Sequence, residues 1–170
     1  MATKVSFVNY DYLIKNSPIY GNLDPSDIDW LIPLSQDKNI ERLTGTALYN
    51  KLKTEVMNGT ITGEYKTLLD DFICPALVHY IGSDALAFNQ VKFTNKGLLV
   101  KSSDNSDPAS EEAFKRYKDQ LDEFAEYYGQ RAVSHICANS ADFPEYNQSV
   151  AGEVDKAGTA YKTTIYIPNK

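Results

Sequence analysis

The sequence predicts a mainly α fold: a helical bundle of about four to five helices with a small β-hairpin and an extended, strand-like C-terminal tail. Three observations predict it. First, the stretch from Glu64 to Val91 is apolar nearly all round at helical spacing, through Tyr65, Leu68, Leu69, Phe72, Ile73, Ala76, Leu77, Tyr80, Ile81, Ala87, Phe88 and Val91, with Asp84 on the same stripe. A surface helix shows one apolar face of about 100°, so this one belongs in the middle of its domain. Second, a long amphipathic run follows Asp107-Pro108 and reaches Ala138. Third, the period changes from 3.6 to 2 at 91–101 and again at 160–167, where β-branched and aromatic residues alternate with polar ones.

A chain of 170 residues with 42% apolar content is most simply one domain with extended ends. The expected division is a helical domain over 1–146 with its hairpin at 91–101, a flexible linker over 147–158, and an interaction strand over 159–170. The net charge of −6 and the absence of any Lys/Arg cluster argue against a protein that grips DNA or RNA. They fit a surface past which nucleic acid slides, because like charge repels phosphate. Met1-Ala2-Thr3-Lys4 leads into no apolar signal core, and charged residues interrupt every apolar stretch before the roughly 18–20 residues a membrane span needs. The expectation is a chain made in a cytoplasm, with Cys74 and Cys137 as buried, reduced thiols.

Taken in order, Asn9–Lys15 reads as a short helix before the turn signal Asn16-Ser17-Pro18. Asp24-Pro25-Ser26-Asp27 is a helix start: Asp24 can cap, and Pro25 suits the first position, where its missing N–H costs nothing. Ile28, Leu31, Ile32 and Ser35 continue one face, with Ile40 and Leu43 beyond. Pro33 falls inside it and predicts a kink or two helices meeting there. Thr44-Gly45-Thr46 breaks the pattern, and Thr46 can cap a helix carrying Leu48, Leu52 and Val56. Asn58-Gly59 ends that helix with a left-handed glycine. Thr62 caps the central helix, Pro75 bends it, and Gly82 offers a close approach. Val91, Phe93 and Leu99 flank Asn95-Lys96-Gly97 as a hairpin with glycine in its turn. The last helix carries a buried stripe of Phe114, Tyr117, Leu121, Phe124, Tyr128, Ala132, His135 and Ile136. Phe143-Pro144-Glu145-Tyr146 closes the helical part.

The chain is poor in recognisable chemistry. Cys74, His79, His135 and Cys137 are the candidate metal ligands, but spacings of five and two put neither pair on one helix face. Asp70-Asp71, Glu111-Glu112 and Asp122-Glu123 are adjacent on helices and so do not face each other. No nucleophile elbow, P-loop or dinucleotide fingerprint is present. Catalytic residues, cofactor sites and metal sites are each expected to be none.

Three stretches together carry a family resemblance. They are Leu43-Thr44-Gly45-Thr46-Ala47-Leu48-Tyr49 with Leu52; Phe93-Thr94-Asn95-Lys96-Gly97-Leu98-Leu99 followed by 103–110 (SDNSDPAS); and Tyr127-Tyr128 through Asn139, ending in Phe143-Pro144-Glu145-Tyr146. This combination, over roughly 10–146, resembles the head–tail connector (neck ring, head completion) proteins of tailed bacteriophages, of the type found in crAss-like and other Bacteroidota phages. The resemblance implies a structural virion protein of the neck and no enzyme. It implies a ring, usually of twelve copies, joining the portal to the next neck or tail protein and extending the channel. Genomic DNA would pass through the lumen without specific binding. The implied partners are copies of the chain itself, the portal protein and the next neck or tail protein, with no cofactor and no membrane. Candidate interface residues are Phe93, Asn95, Lys96, Gly97 and Leu99 of the hairpin, and Tyr161, Thr163, Ile165, Tyr166 and Ile167 of the tail. A strand on a leash suits pairing with another subunit's sheet or with the chain's own hairpin. The competing readings are a helical adaptor that binds a partner peptide, and a small enzyme without a recognisable motif.

Overall fold

The structure, a computed structural model, describes residues 4–18, 25–89, 91–94, 97–100, 110–148 and 154. The chain is mainly helical, as the apolar periodicity predicts. Helix α1 spans Tyr10–Asn16, and the Asn9 side chain accepts the Tyr12 N–H at 2.8 Å, which satisfies one of the unpaired donors of the first turn. Ahead of it, the backbone of the N-terminal segment is tied to a buried amide. Phe7 N–H donates to Gln36 Oε1 at 2.7 Å, and Gln36 Nε2 donates to Val5 O at 3.1 Å and to the Tyr49 hydroxyl at 2.9 Å. The Tyr49 hydroxyl in turn donates to Asp37 Oδ1 at 2.5 Å.

Helix α2 is the single turn Pro25–Ile28, and α3 spans Leu31–Asn58. The interruption expected at Pro33 therefore lies earlier, at Asp29–Trp30. Pro33 sits third in α3, among the positions whose N–H has no intrahelical acceptor, so its missing donor breaks nothing. A true discontinuity falls at Gly45, whose φ of 74° and ψ of 157° are open to glycine almost alone. Thr46 does not cap the segment beyond. Its hydroxyl donates to Glu41 Oε1 at 2.7 Å and accepts the Val154 N–H at 3.1 Å, while its own N–H donates to Val154 O at 3.3 Å. A residue of the expected linker thus supplies the acceptor that the helix break leaves wanting. At the far end Gly59 is left-handed (φ 65°), with Gly59 N–H on Val56 O at 3.1 Å and Thr60 N–H on Glu55 O at 2.9 Å, the paired bonds of a Schellman ending.

The central stretch is α4 (Gly63–Leu68), a π-helical turn (Leu69–Ile73) and α5 (Cys74–Asn89). Thr62 stands at the N-cap position but its side chain makes no capping bond. The expected bend at Pro75 is taken up by the wide turn just before it, in which Cys74 N–H reaches Leu69 O. A proline ring clashes with the carbonyl four residues back, and a π turn moves that carbonyl aside. Leu68, Ile73, Ala76, Leu77, Val78 and Ile81 are buried, and each fully buried Leu, Ile or Val side chain contributes about 1.5–3 kcal/mol. Among the described residues, one core cluster runs from Val8 to Tyr146 and gathers side chains from all six helices.

Strand β1 (Val91–Thr94) pairs antiparallel with β2 (Gly97–Val100) in the register Val91–Val100, Lys92–Leu99, Phe93–Leu98 and Thr94–Gly97. Gly97 is therefore the first residue of β2, opposite Thr94, and not a turn residue. Helix α6 spans Glu111–Ala138, with Ser110 Oγ accepting the Ala113 N–H at 3.2 Å as its cap. The expected cap at Asp107-Pro108 lies outside the described residues. Helices α5 and α6 run antiparallel, since Phe72 stacks on His135 at 4.8 Å while His79 meets Tyr128 at 5.9 Å. The face of α6 toward the core is Leu121, Ala125, Gly129, Ala132 and Ile136. Its small residues bring the helices close: a Cβ at Gly129 would stand 3.2 Å from Leu43 Cδ1 and 3.5 Å from the Tyr80 hydroxyl. This close contact turns Tyr117 and Phe124, expected in the buried stripe, outward to the flank of α6, where both are exposed. A 3₁₀ turn at Pro144–Asn147 closes the described helical part, with Phe143 and Tyr146 buried.

Candidate interaction surface

The residues with chemical potential are dispersed. Cys74 is buried, its thiol 3.7 Å from Phe7 O, and burial pushes its pKa up to about 12, so it is no nucleophile. Cys137, expected to be buried, is exposed, because it follows Ile136 by one position and points away from the core-facing stripe. Burial lowers the His79 pKa, and its Nδ1 is buried without a hydrogen-bond partner. His135 Nε2 lies 3.3 Å from Glu64 Oε2 but without hydrogen-bond alignment. Its ring is sandwiched by packing instead, stacked on Phe72 and edge-on to Phe143 at 5.9 Å. Among the described residues no three His, Cys, Asp or Glu side chains converge to hold a metal ion. Two of the adjacent carboxylate pairs are engaged along their helices: Asp70 with Lys66, and Asp122 with Lys118 at 2.5 Å. Among the described residues no helix is long and apolar enough to cross a membrane.

Two partly buried polar junctions tie the helices together. Ser35 Oγ donates to Asp84 Oδ2 and Lys38 Nζ to Asp84 Oδ1, both at 2.8 Å. Tyr65 donates to Glu145 Oε2 at 2.7 Å, binding α4 to the 3₁₀ turn. Burial, followed by that carboxylate, raises the Tyr65 pKa, and the same two causes, with Asp37 as the carboxylate, raise that of Tyr49. These groups fix geometry and are poor acids.

Much of the large apolar surface that the described helices leave exposed is aromatic. Trp30 and Phe88 are about half exposed and meet edge to face at 5.2 Å, with Leu34 exposed one turn along from Trp30. On α6, Tyr117, Phe124 and Tyr127 are exposed, Phe124 lying 5.4 Å from the His79 ring and Tyr127 5.3 Å from Tyr128. The Arg131 guanidinium stands over Phe72, Tyr127 and Tyr128 at 5.1, 5.7 and 5.9 Å. Cation–π contact holds it within the patch. Such clusters of large apolar side chains at a surface mark interaction sites more often than isolated ones do.

The sequence reasoning placed the interface elsewhere. Phe93, Gly97 and Leu99 fall in the strand pair, where Phe93 pairs with Leu98 and Leu99 with Lys92, so these two candidates are not cross-strand partners. Asn95 and Lys96, and Tyr161, Thr163, Ile165, Tyr166 and Ile167, lie outside the described residues. Trp30, Leu34 and Phe88 were missed, although the lone tryptophan beside two aspartates was a signal available in the sequence. No curated protein and no solved structure matches the chain. The family model that does match covers residues 40–156, from just before the break in α3 at Gly45 to just beyond Val154, and on that match the chain belongs to a family of unknown function (DUF6712).

Proposed function

We propose that this protein is a structural subunit of the neck of a tailed bacteriophage, one copy in a ring that joins the portal to the next neck or tail component. The observation that carries the reading is the resemblance of the three stretches at 43–52, 93–110 and 127–146 to head–tail connector proteins. The physical features fit it. Among the described residues the helices share one core cluster and present aromatic surfaces on their outside. A ring subunit needs such surfaces, because it meets different patches of its neighbours. The net charge of −6 suits a wall along which DNA slides without being held. The strand pair at 91–100 and the tail at 159–170 are the pieces offered to neighbouring copies or to the portal. No catalytic role is assigned to any residue.

The test is the particle itself. Mass spectrometry of purified virions that carry this gene is expected to find the protein in multiple copies, and images of the neck to show ring density beneath the portal that disappears when the gene is deleted. Absence of the protein from purified particles overturns the proposal. Deletion of Tyr161–Lys170 is expected to impair assembly while leaving the helical circular dichroism unchanged.

A further inference from the structure

We infer that the C-terminal segment 160–170 docks on the exposed aromatic seam of α6 in its own chain and covers that seam in the free subunit. The inference goes beyond the ring reading, which concerns what the tail meets after assembly.

The seam is Tyr117, Phe124 and Tyr127, all exposed, with exposed Gln120 between them. At 100° per residue these four positions fall within about 80° of one another. They stand apart from the buried stripe of Leu121, Ala125, Gly129 and Ala132. Acids border the seam on its solvent side, where Asp119, Glu123 and Glu126 are exposed. Between Tyr117 and Tyr127 the one cation is Lys118, which is engaged by Asp122. Arg116 and Arg131 stand beyond the two ends, and Arg131 is held over the rings of Phe72, Tyr127 and Tyr128. The occupant that suits such a strip is apolar and positively charged. The segment 160–170 has that chemistry. It carries Tyr161, Ile165, Tyr166 and Ile167 with Lys162 and Lys170 and no acid, in a chain whose net charge is −6.

The place where this segment begins selects the seam. Val154 N–H donates to Thr46 Oγ1 at 3.1 Å, and Val154 O accepts the Thr46 N–H at 3.3 Å. Thr46 is three positions from Leu43, and a Cβ on Gly129 of α6 would stand 3.2 Å from Leu43 Cδ1. The anchor is therefore close to Gly129, two positions from Tyr127. Residues 155–160, which lie outside the described residues, span at most about 20 Å. A helix with its side chains is about 10–12 Å across, so Tyr161 comes to the seam without a stretched link. The Trp30–Phe88 patch is at the other end of α3. The helix from Leu31 to Thr44 is itself about 20 Å long, so that patch would take a fully extended link.

The tether also selects the chain's own seam over another copy's. A short flexible linker holds its end at an effective concentration on the order of millimolar. At micromolar protein, the tail of a second copy competes at a disadvantage of about a thousandfold.

The experiment mixes equal amounts of ordinary and heavy-isotope-labelled full-length chain at micromolar concentration and treats them with a carbodiimide, which joins a lysine amine to a carboxylate in contact with it. Mass mapping is expected to find Lys162 or Lys170 joined to Asp119, Glu123 or Glu126, with both peptides of each pair from one isotope. Ile165→Ser with Ile167→Ser, and separately Phe124→Ser at its exposed position, are each expected to lower the yield of these links about tenfold while the helical circular dichroism stays unchanged. Links that pair the two isotopes at random assign the tail to a second copy and overturn the inference. So does the absence of links between the tail and α6, or a yield that neither variant changes. Mass spectrometry of particles is independent of this result: protein present in the neck without these links in the free chain overturns the tail docking and leaves the ring reading standing.

Discussion

Ser35 Oγ donates to Asp84 Oδ2 at 2.8 Å across the junction of α3 and α5, and Ser35 is fully buried. Asp84 also accepts from Lys38, which is exposed. The two partners of one carboxylate thus differ in burial, and their removal is expected to differ in cost. Asp84→Ala leaves the Ser35 hydroxyl the bond it accepts from Asn39 Nδ2 but removes the acceptor for its own proton, and is expected to destabilise the fold by about 1–3 kcal/mol. Lys38→Ala removes an exposed ion pair, for which about 0–1 kcal/mol is typical. Urea unfolding of both variants checks this, and equal losses would show that the buried bond contributes nothing special.

Gly45 and Gly59 are both at positive φ, but in different regions. Gly45, at ψ 157°, occupies a conformation restricted to glycine, whereas Gly59, at ψ 25°, is in the left-handed region that Asn also visits. Gly45→Ala is expected to cost about 1–3 kcal/mol, and Gly59→Asn well under 1 kcal/mol. Thermal unfolding of the two variants measures the gap. If Gly45→Ala melts with the parent, the break in α3 is not held as described.

The two thiols are expected to react very differently. Cys137 is exposed, while Cys74 is buried with its pKa raised to about 12. Iodoacetamide at pH 8 on the native protein should label Cys137 within minutes and Cys74 only on unfolding, as peptide mass mapping would reveal. Equal labelling of both in the folded state would contradict the packing of α5 against the N-terminal segment.

His79 makes stability pH-dependent. Burial lowers its folded pKa below the ordinary value of 6.5. Below that value the unfolded chain takes up the proton first, so stability is full above pH 6.5 and falls as pH drops from there toward the folded pKa. His79→Gln cannot take up that proton. Its unfolding free energy is expected to decline less than that of the parent between about pH 6.5 and 5. Identical pH profiles would mean that His79 titrates alike in the folded and unfolded chain.

The readable part of the fold was the part written in local chemistry. Apolar periodicity marked the central helix, Asn9 marked the start of α1, and Gly59 marked the end of α3, because each acts within a few residues of itself. The Phe143–Tyr146 ending was visible for the same reason. What escaped depends on contacts distant in sequence. Which of two apolar stripes on α6 turns inward was settled by how closely Gly129 lets Leu43 and Tyr80 approach. Thr46 had the composition of a cap, but Val154, arriving from far along the chain, took its hydroxyl and its N–H. Pro33 looked like a breaker until the turn at Asp29–Trp30 placed it in the first turn of α3.

The candidate surface divides the same way. A mainly helical, acidic chain could be read directly, because helical periodicity and charge reside in residue types and spacings. That Trp30 and Phe88 form one exposed patch, and Phe124, Tyr127 and Arg131 another across α5, emerged only in the folded chain. Exposure is a property of what the rest of the chain leaves uncovered. An aromatic residue at helical spacing reads the same in sequence whether its neighbours bury it or not.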